Sequence, residues 1–138
     1  MKKLLVPILL FITLAVGASD KKRLIVLTDI GGDPDDQMSM VRLMTYANHF
    51  DIEGLIATPH GGRNEVEPEY IKKIVVAYGK VRDNLELHEP GYPTEQYLKK
   101  VISKSIELDD MESVGSGKDS PGSELIIMAV DEQDDRPL

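Results

Sequence analysis

The chain has 138 residues, of which 41% are hydrophobic, and its 24 acidic side chains outnumber its 16 basic ones to give a net charge of −8 at pH 7. So acidic a protein is not expected to bind nucleic acid through the phosphate backbone. The chain contains no cysteine, which excludes disulfides and thiolate metal sites and leaves oxygen or histidine ligands for any metal. Its length suits one small domain.

The first 18 residues have the pattern of a secretory signal peptide. Lys2 and Lys3 form a basic start, residues 4–16 are apolar apart from Thr13, and residues 16–18 supply the small residues of a cleavage site. The apolar stretch is too short for a transmembrane helix, and no later stretch is long and apolar enough to be one. We therefore expect a secreted or periplasmic protein that is not held at a membrane after cleavage.

The first half of the remaining chain alternates predicted strands with predicted helices. Residues 23–28 (RLIVLT) and 52–58 (IEGLIAT) are short apolar runs, which is typical of buried parallel strands. A helix is predicted over residues 36–49, and a second one begins near Pro68. This order predicts a right-handed parallel crossover and an α/β fold. The predicted buried stripes are Met40, Leu43, Met44 and Ala47 in the first helix and Ile71, Ile74, Val75, Tyr78 and Val81 in the second.

The second half of the chain contains no convincing strand. Thr94 is placed to cap a helix, and residues 107–120 are polar and loop-like. Residues 124–130 (ELIIMAV) are nearly all apolar, so we expect them to be buried against a sheet. Because two strands cannot cover these helices, the sequence predicts the N-terminal portion of a larger, Rossmann-like, mainly parallel open sheet. The apolar residues of the helix after Thr94 are Tyr97, Leu98, Val101 and Ile102.

The most informative segment is TDIGGDPDD, residues 28–36. It places four carboxylates and two glycines in the turn between the first predicted strand and the first predicted helix. Open α/β sheets bind ligands at the carboxyl ends of their strands, and clusters of oxygen ligands suit hard cations such as Ca²⁺ or Mg²⁺. The paired glycines let the backbone approach a ligand closely. The turn therefore predicts a metal or substrate site.

A purely structural role for these aspartates is the alternative. Asp is a preferred N-cap residue, and an acidic side chain in the first turn of a helix stabilises it by about 0.3–1 kcal/mol. Capping would account for one or two of the carboxylates, such as Asp33 and Asp35, but it leaves Asp29 at the strand end unexplained. An EF-hand loop is excluded, because its glycine position falls on Pro34 and its final Glu is absent.

Residues 29–36 (DIGGDPDD), which lead from an apolar strand into an amphipathic helix, resemble the N-terminal calcium motif of the nucleoside hydrolase superfamily. The wider sequence is similar to one branch in particular, the nucleoside hydrolase-like domain of secreted bacterial proteins described as cellulose-binding. The resemblance covers residues 23–138, which we predict to be the N-terminal part of such a domain. The similar stretches are RLMTYAN (42–48), IEGLIAT (52–58), PGYP (90–93) and GKDSPGSE (117–124).

The resemblance implies roles for individual residues. Asp29 would bind Ca²⁺ and take a proton from a metal-held water, which makes it the predicted catalytic base. Asp36 would be a second calcium ligand, and Asp33, which belongs to the longer form of the motif, is a further candidate ligand. Asp35 would hydrogen-bond a ribose hydroxyl, and Asn64 lies where the family often places a ribose-binding Asn, with a plain turn residue as the alternative. The family's other ligands come from later segments than this chain contains, so we expect half a site.

The resemblance thus implies hydrolysis of N-glycosidic or related glycosyl bonds in a small nucleoside or carbohydrate. Such cleavage passes through an oxocarbenium-like transition state. Ca²⁺ can lower the pKa of a bound water and hold two sugar hydroxyls while a neighbouring carboxylate accepts the proton. A non-catalytic, cellulose-binding module on the same fold is the alternative. His60 lies in the loop after the second predicted strand and is a further candidate to face the pocket, whereas Tyr92 and Tyr97 are expected to serve packing.

Overall fold

The computed structural model describes residues 21–61, 65–107 and 110–138. The predicted signal peptide, residues 1–18, lies outside the described residues. No helix in the described part of the chain is long and apolar enough to cross a membrane. In chain order, the elements are β1 (Lys22–Thr28), α1 (Pro34–Thr45), a 3₁₀ turn (Ala47–His49), β2 (Phe50–Ala57), α2 (Pro68–His88), α3 (Glu95–Lys100), β3 (Ile102–Lys104), a second 3₁₀ turn (Met111–Ser113) and α4 (Pro121–Asp131).

The strands of the described ranges form one parallel sheet in the order β1-β2-β3. The predicted parallel α/β architecture is therefore confirmed. β2 is the central strand, and its Ile52, Leu55 and Ile56 side chains are almost completely buried, as expected for a strand covered on both faces. The register pairs Thr28 at the end of β1 with Ala57 at the end of β2, so both strands finish at the same edge of the sheet.

The expectation that the second half of the chain lacks a strand is wrong, because β3 pairs with β2. Helix α3 begins as predicted, with the Thr94 hydroxyl accepting a hydrogen bond from the Tyr97 N–H at 3.1 Å, but it ends at Lys100. The Leu55 N–H of β2 donates to the Val101 carbonyl at 2.9 Å. The backbone groups after Lys100 are therefore hydrogen-bonded by the sheet and not by a longer helix.

Helices cover both faces of this sheet. On one face α1, α2 and α3 pack around a single hydrophobic cluster, whereas α4 packs on β2 and β3. Leu125 of α4 lies against Gly54, and Gly122 lies against Ile56. Successive strand residues point to opposite faces, which is why Gly54 and Ile56 meet α4 while Leu55 belongs to the cluster. That cluster contains Ile30, Met40, Met44, Ala47, Ile52, Leu55, Ala57, Ile71, Val75, Tyr78, Tyr92 and Leu98.

The apolar run of α4 is buried on one side only. Ala129 is buried, but Ile127, Met128 and Val130 are 49–64% exposed. The expectation that residues 124–130 are buried against a sheet is therefore confirmed for the side that faces β2 and β3 and is wrong for the opposite side.

Charged side chains tie α4 and the C-terminal segment to the beginning of the sheet. The Arg23 side chain is only 3% exposed, and its Nε lies 2.5 Å from Glu53 Oε1. The same guanidinium donates to the Ala129 carbonyl. Arg136 hydrogen-bonds Asp134 and lowers the pKa of that carboxyl to about 2. Because a buried charge is tolerated only when it is paired, this network fixes how the segment docks.

The tyrosines of the middle segment have structural roles, as the sequence predicted. The Tyr92 hydroxyl donates to the Thr45 carbonyl at 2.9 Å, and the Tyr97 hydroxyl donates to the Ile52 carbonyl at 3.0 Å. Each tyrosine thus satisfies a main-chain acceptor, and Tyr92, which is 8% exposed, also supplies buried apolar area, whereas Tyr97 is 37% exposed.

Gly122→Ala should destabilise the protein, because the added methyl would lie 2.7 Å from Ile56 Cγ2 and 2.9 Å from the main-chain oxygen of Lys104. Overpacking of this kind costs about 1–3 kcal/mol, so calorimetry should show a melting temperature several degrees lower. Gly61→Ala is the matched control, since no other described residue has an atom within 4 Å of its added methyl. Equal melting temperatures for the two variants would contradict this account of the contact between α4 and the sheet.

Candidate functional site

The acidic turn lies at the carboxyl edge of the sheet. The Thr58 N–H donates to the Thr28 carbonyl at 2.8 Å, which continues the pairing of β1 with β2 beyond the last strand residues. The turn over residues 29–33 and the loop over residues 58–61 therefore leave the sheet side by side. This is the edge at which open α/β sheets bind ligands.

The sequence of the turn explains its shape. Ile30 is 2% exposed and anchors the turn in the core. Gly31 has φ +110°, which an L side chain rarely adopts. The Gly32 N–H donates to the Asp29 carbonyl at 3.3 Å, and Pro34 then begins α1, where its missing N–H leaves no helical bond unmade. The turn thus brings the start of α1 back over the end of β1.

Two of the four aspartates of this turn meet. The Thr28 hydroxyl donates to Asp36 Oδ1 at 2.8 Å, which holds the Asp36 side chain, from the first turn of α1, against the end of β1. There Asp36 and Asp29 are close enough for each carboxyl to shift the pKa of the other.

The two carboxyl groups have opposed pKa shifts. The neighbouring carboxyl of Asp36 lowers the pKa of Asp29, and His60 acts in the same direction. The hydrogen bond from Thr28 favours the ionised form of Asp36, but burial and the neighbouring charges of Asp29 and Asp35 outweigh it and raise the Asp36 pKa. A cation between the two carboxylates would favour the ionised form of both groups.

Two further side chains flank the turn. His60 Nδ1 lies 3.6 Å from Asp29 Oδ2, and this nitrogen is buried with no hydrogen-bond partner in the described part of the chain. Glu67 lies against Gly31, where an added methyl would overlap its carboxylate. The sequence indicates His60 by its place after the second strand, but it gives no sign of Glu67, because an acidic residue before Pro68 is typical of any helix start.

The other predicted site residues are not brought into this pair. Asp33 and Asp35 are both exposed. Asp33 occupies the N-cap position of α1 but makes no side-chain capping hydrogen bond, while Asp35 lies in the first helical turn. Asn64 lies outside the described residues. Of the predicted set, the structure therefore places Asp29 and Asp36 together.

Residues 23–138 match the model of a family described as "Cellulose-binding Sde182, nucleoside hydrolase-like domain". The chain belongs to this family. The resemblance that the acidic turn indicated is therefore confirmed, including the branch of the superfamily.

A solved structure shares the fold of this nucleoside hydrolase-like domain. It is described as a nucleoside hydrolase-related hypothetical protein from Saccharophagus degradans that is associated with carbohydrate metabolism. The sequences are 42% identical, with a TM-score of 0.80, and the match covers 85% of this chain and 29% of that chain. The chain thus spans less than a third of the length of that relative. No curated protein matches the chain.

The donor chemistry of the turn in this nucleoside hydrolase-like domain fits part of a calcium site. Asp29 and Asp36 are neighbouring carboxyl groups whose pKa values shift in opposite directions, and carboxylate oxygens are ligands that Ca²⁺ prefers. No group of three or more His, Cys, Asp or Glu side chains within the described ranges is arranged to hold a metal ion. Because Ca²⁺ takes about six to eight oxygens, the pair supplies only a portion of the ligands.

Asp36→Asn should raise the thermal stability of the protein at pH 7 in the presence of a chelator. The amide keeps a donor for Asp29 and an acceptor for Thr28, but it carries no charge. Because the folded state raises the Asp36 pKa, the wild type loses stability as the pH rises through that pKa, and the variant does not.

The measurement is the melting temperature of both proteins at pH 3 and pH 7. We expect the variant to melt a few degrees higher at pH 7, with almost no difference at pH 3, where the wild-type carboxyl is protonated. A variant that melts below the wild type at pH 7 would show that the two carboxylates do not oppose each other.

Proposed function

We propose that this domain binds Ca²⁺ together with a nucleoside or carbohydrate at the acidic turn and hydrolyses a glycosyl bond, of the N-glycosidic type or a related one. The observation that carries this proposal is the pairing of Asp29 with Asp36 at the carboxyl edge of β1 and β2. Helix stabilisation would account for Asp36 in the first turn of α1, but not for a second carboxylate beside it at the end of β1, whose like charge opposes folding. A site for a cation needs that arrangement.

Each side chain of the turn has a role in this proposal. A bound Ca²⁺ would hold sugar hydroxyls and lower the pKa of a water molecule. Asp29, whose pKa is lowered, stays ionised near neutral pH and would accept a proton from that water at a carboxylate oxygen, as a general base must. Asp36 is the second carboxylate ligand and is oriented by Thr28. Asp33 is a further candidate ligand, and the exposed carboxylate of Asp35 accepts a hydrogen bond from a sugar hydroxyl.

Asn64 remains a proposed contact to the sugar on the basis of the resemblance alone. The substrate is proposed to be met outside the cytoplasm, because residues 1–18 have the pattern of a secretory signal peptide. The excess of acidic side chains makes a neutral sugar or nucleoside a better ligand than a nucleic acid.

A non-catalytic carbohydrate-binding module is the second candidate function. The family description begins with the words "Cellulose-binding", and the Saccharophagus degradans protein is described as associated with carbohydrate metabolism. On this alternative the carboxylates orient sugar hydroxyls, with or without Ca²⁺, and no bond is cleaved. The two functions differ in catalytic turnover, because only the hydrolase would cleave a glycosyl bond.

Calorimetric titration with Ca²⁺ tests the metal site. The wild type, stripped with chelator, should bind the ion, and Asp36→Asn should weaken the binding at least tenfold, which corresponds to about 1.4 kcal/mol. Asp83→Asn is the charge-matched control, because that carboxylate is 96% exposed and, among the described residues, forms an ion pair only with its neighbour Arg82 on α2. Identical titrations for all three proteins would leave the turn with a capping role alone.

Asp29→Asn tests the proposed base. General-base catalysis contributes about 10²–10⁴-fold, so the variant should lose at least that much of any glycosyl hydrolysis while it melts cooperatively like the wild type. The assay measures free base or reducing sugar released from a panel of nucleosides and cello-oligosaccharides. A variant with wild-type rates would show that Asp29 is not the base. Binding of oligosaccharide by the wild type without turnover of any panel member would favour the binding module.

A further inference from the structure

The imidazole of His60 occupies the space that Gly32 leaves by having no side chain. A methyl group added to Gly32 would overlap the His60 ring at Nδ1, Cε1 and Cγ. Gly32, unlike Gly31, does not have a positive φ, so its backbone conformation does not require glycine. The close approach of the ring is what requires it. The second glycine of the acidic turn and the histidine after β2 therefore interlock.

This interlock directs one nitrogen of the ring toward the acidic pair. His60 Nδ1 is buried and has no hydrogen-bond partner in the described ranges, and Asp29 Oδ2 lies 3.6 Å from it. The distance is longer than a hydrogen bond, but contacts of catalytic groups are often long in the free protein and tighten when the ligand binds. The His60 side chain as a whole is 28% exposed, so its exposed atoms lie away from this buried nitrogen.

We propose that His60 is a positioning residue for Asp29, and that Gly32 is present to let the ring reach it. A hydrogen bond from Nδ1–H to Oδ2 fixes the Asp29 carboxylate and leaves its other oxygen to face a cation. Partners of this kind, which hydrogen-bond a metal-ligating carboxylate, typically change metal affinity by 10–100-fold when they are removed. The inference rests on the proposed calcium site, but the interlock itself is a property of the metal-free chain.

A pair of substitutions distinguishes positioning from simple packing. In Asn, the amide nitrogen is attached to Cγ, as Nδ1 is in His, whereas in Gln it lies one bond further out. His60→Asn therefore keeps a donor at the required place and His60→Gln does not, although Gln is closer to His in volume. We expect calorimetric Ca²⁺ affinity close to that of the wild type for His60→Asn and a 10–100-fold loss for His60→Gln. Equal loss in both variants, or no loss in either, would overturn the positioning role.

A double-mutant cycle in the presence of chelator tests the interlock without calcium. Gly32→Ala should lower the melting temperature of the wild type, because the methyl displaces the ring, and should have almost no effect in the His60→Ala background. Additive effects would overturn the interlock. A wild type that binds no Ca²⁺ would contradict the proposed function and with it the positioning role, while the cycle would still decide the interlock. Ca²⁺ binding by the wild type together with an additive cycle would overturn this inference alone.

Discussion

The parallel pairing of β1 with β2 is the constraint on which the whole candidate site depends. Its ladder runs to Thr28 and Ala57 and is continued by the bond from Thr58, so the two following loops must leave the sheet together. Thr28 is at once the last residue of β1 and the donor that orients Asp36. Because the acidic turn follows β1 and His60 follows β2, this strand pairing fixes the spacing between them.

The two ends of the sheet differ in how their charged side chains are paired. At the beginning of the strands, Arg23 and Arg136 are paired with carboxylates, and Arg136 keeps Asp134 ionised down to a pKa of about 2. At the carboxyl ends, Asp29 and Asp36 oppose each other, and no Lys or Arg of the described residues is among the groups that shift their pKa values. The first arrangement stabilises the fold. The second costs stability, as functional sites commonly do, and a bound cation would offset that cost.

Local pattern predicted the elements whose burial is periodic in the sequence. β1, β2 and the start of α2 at Pro68 were predictable from apolar runs and helix-start chemistry, and so was the acidic turn between them. β3 was not predictable, because Val101 follows Leu98 at helical spacing. It is the pairing with β2 that makes this segment a strand. The partners Glu67 and Gly31 meet because two loops converge, which no spacing along the chain encodes.

A crystal structure grown with Ca²⁺ is the most direct test of the central claim, that the Asp29–Asp36 pair is half of a cation site. We predict an ion at about 2.3–2.6 Å from an oxygen of each carboxylate, with His60 Nδ1 at hydrogen-bond distance from Asp29 Oδ2. Calcium bound elsewhere, or no ion between the two carboxylates at neutral pH in saturating Ca²⁺, would contradict the account.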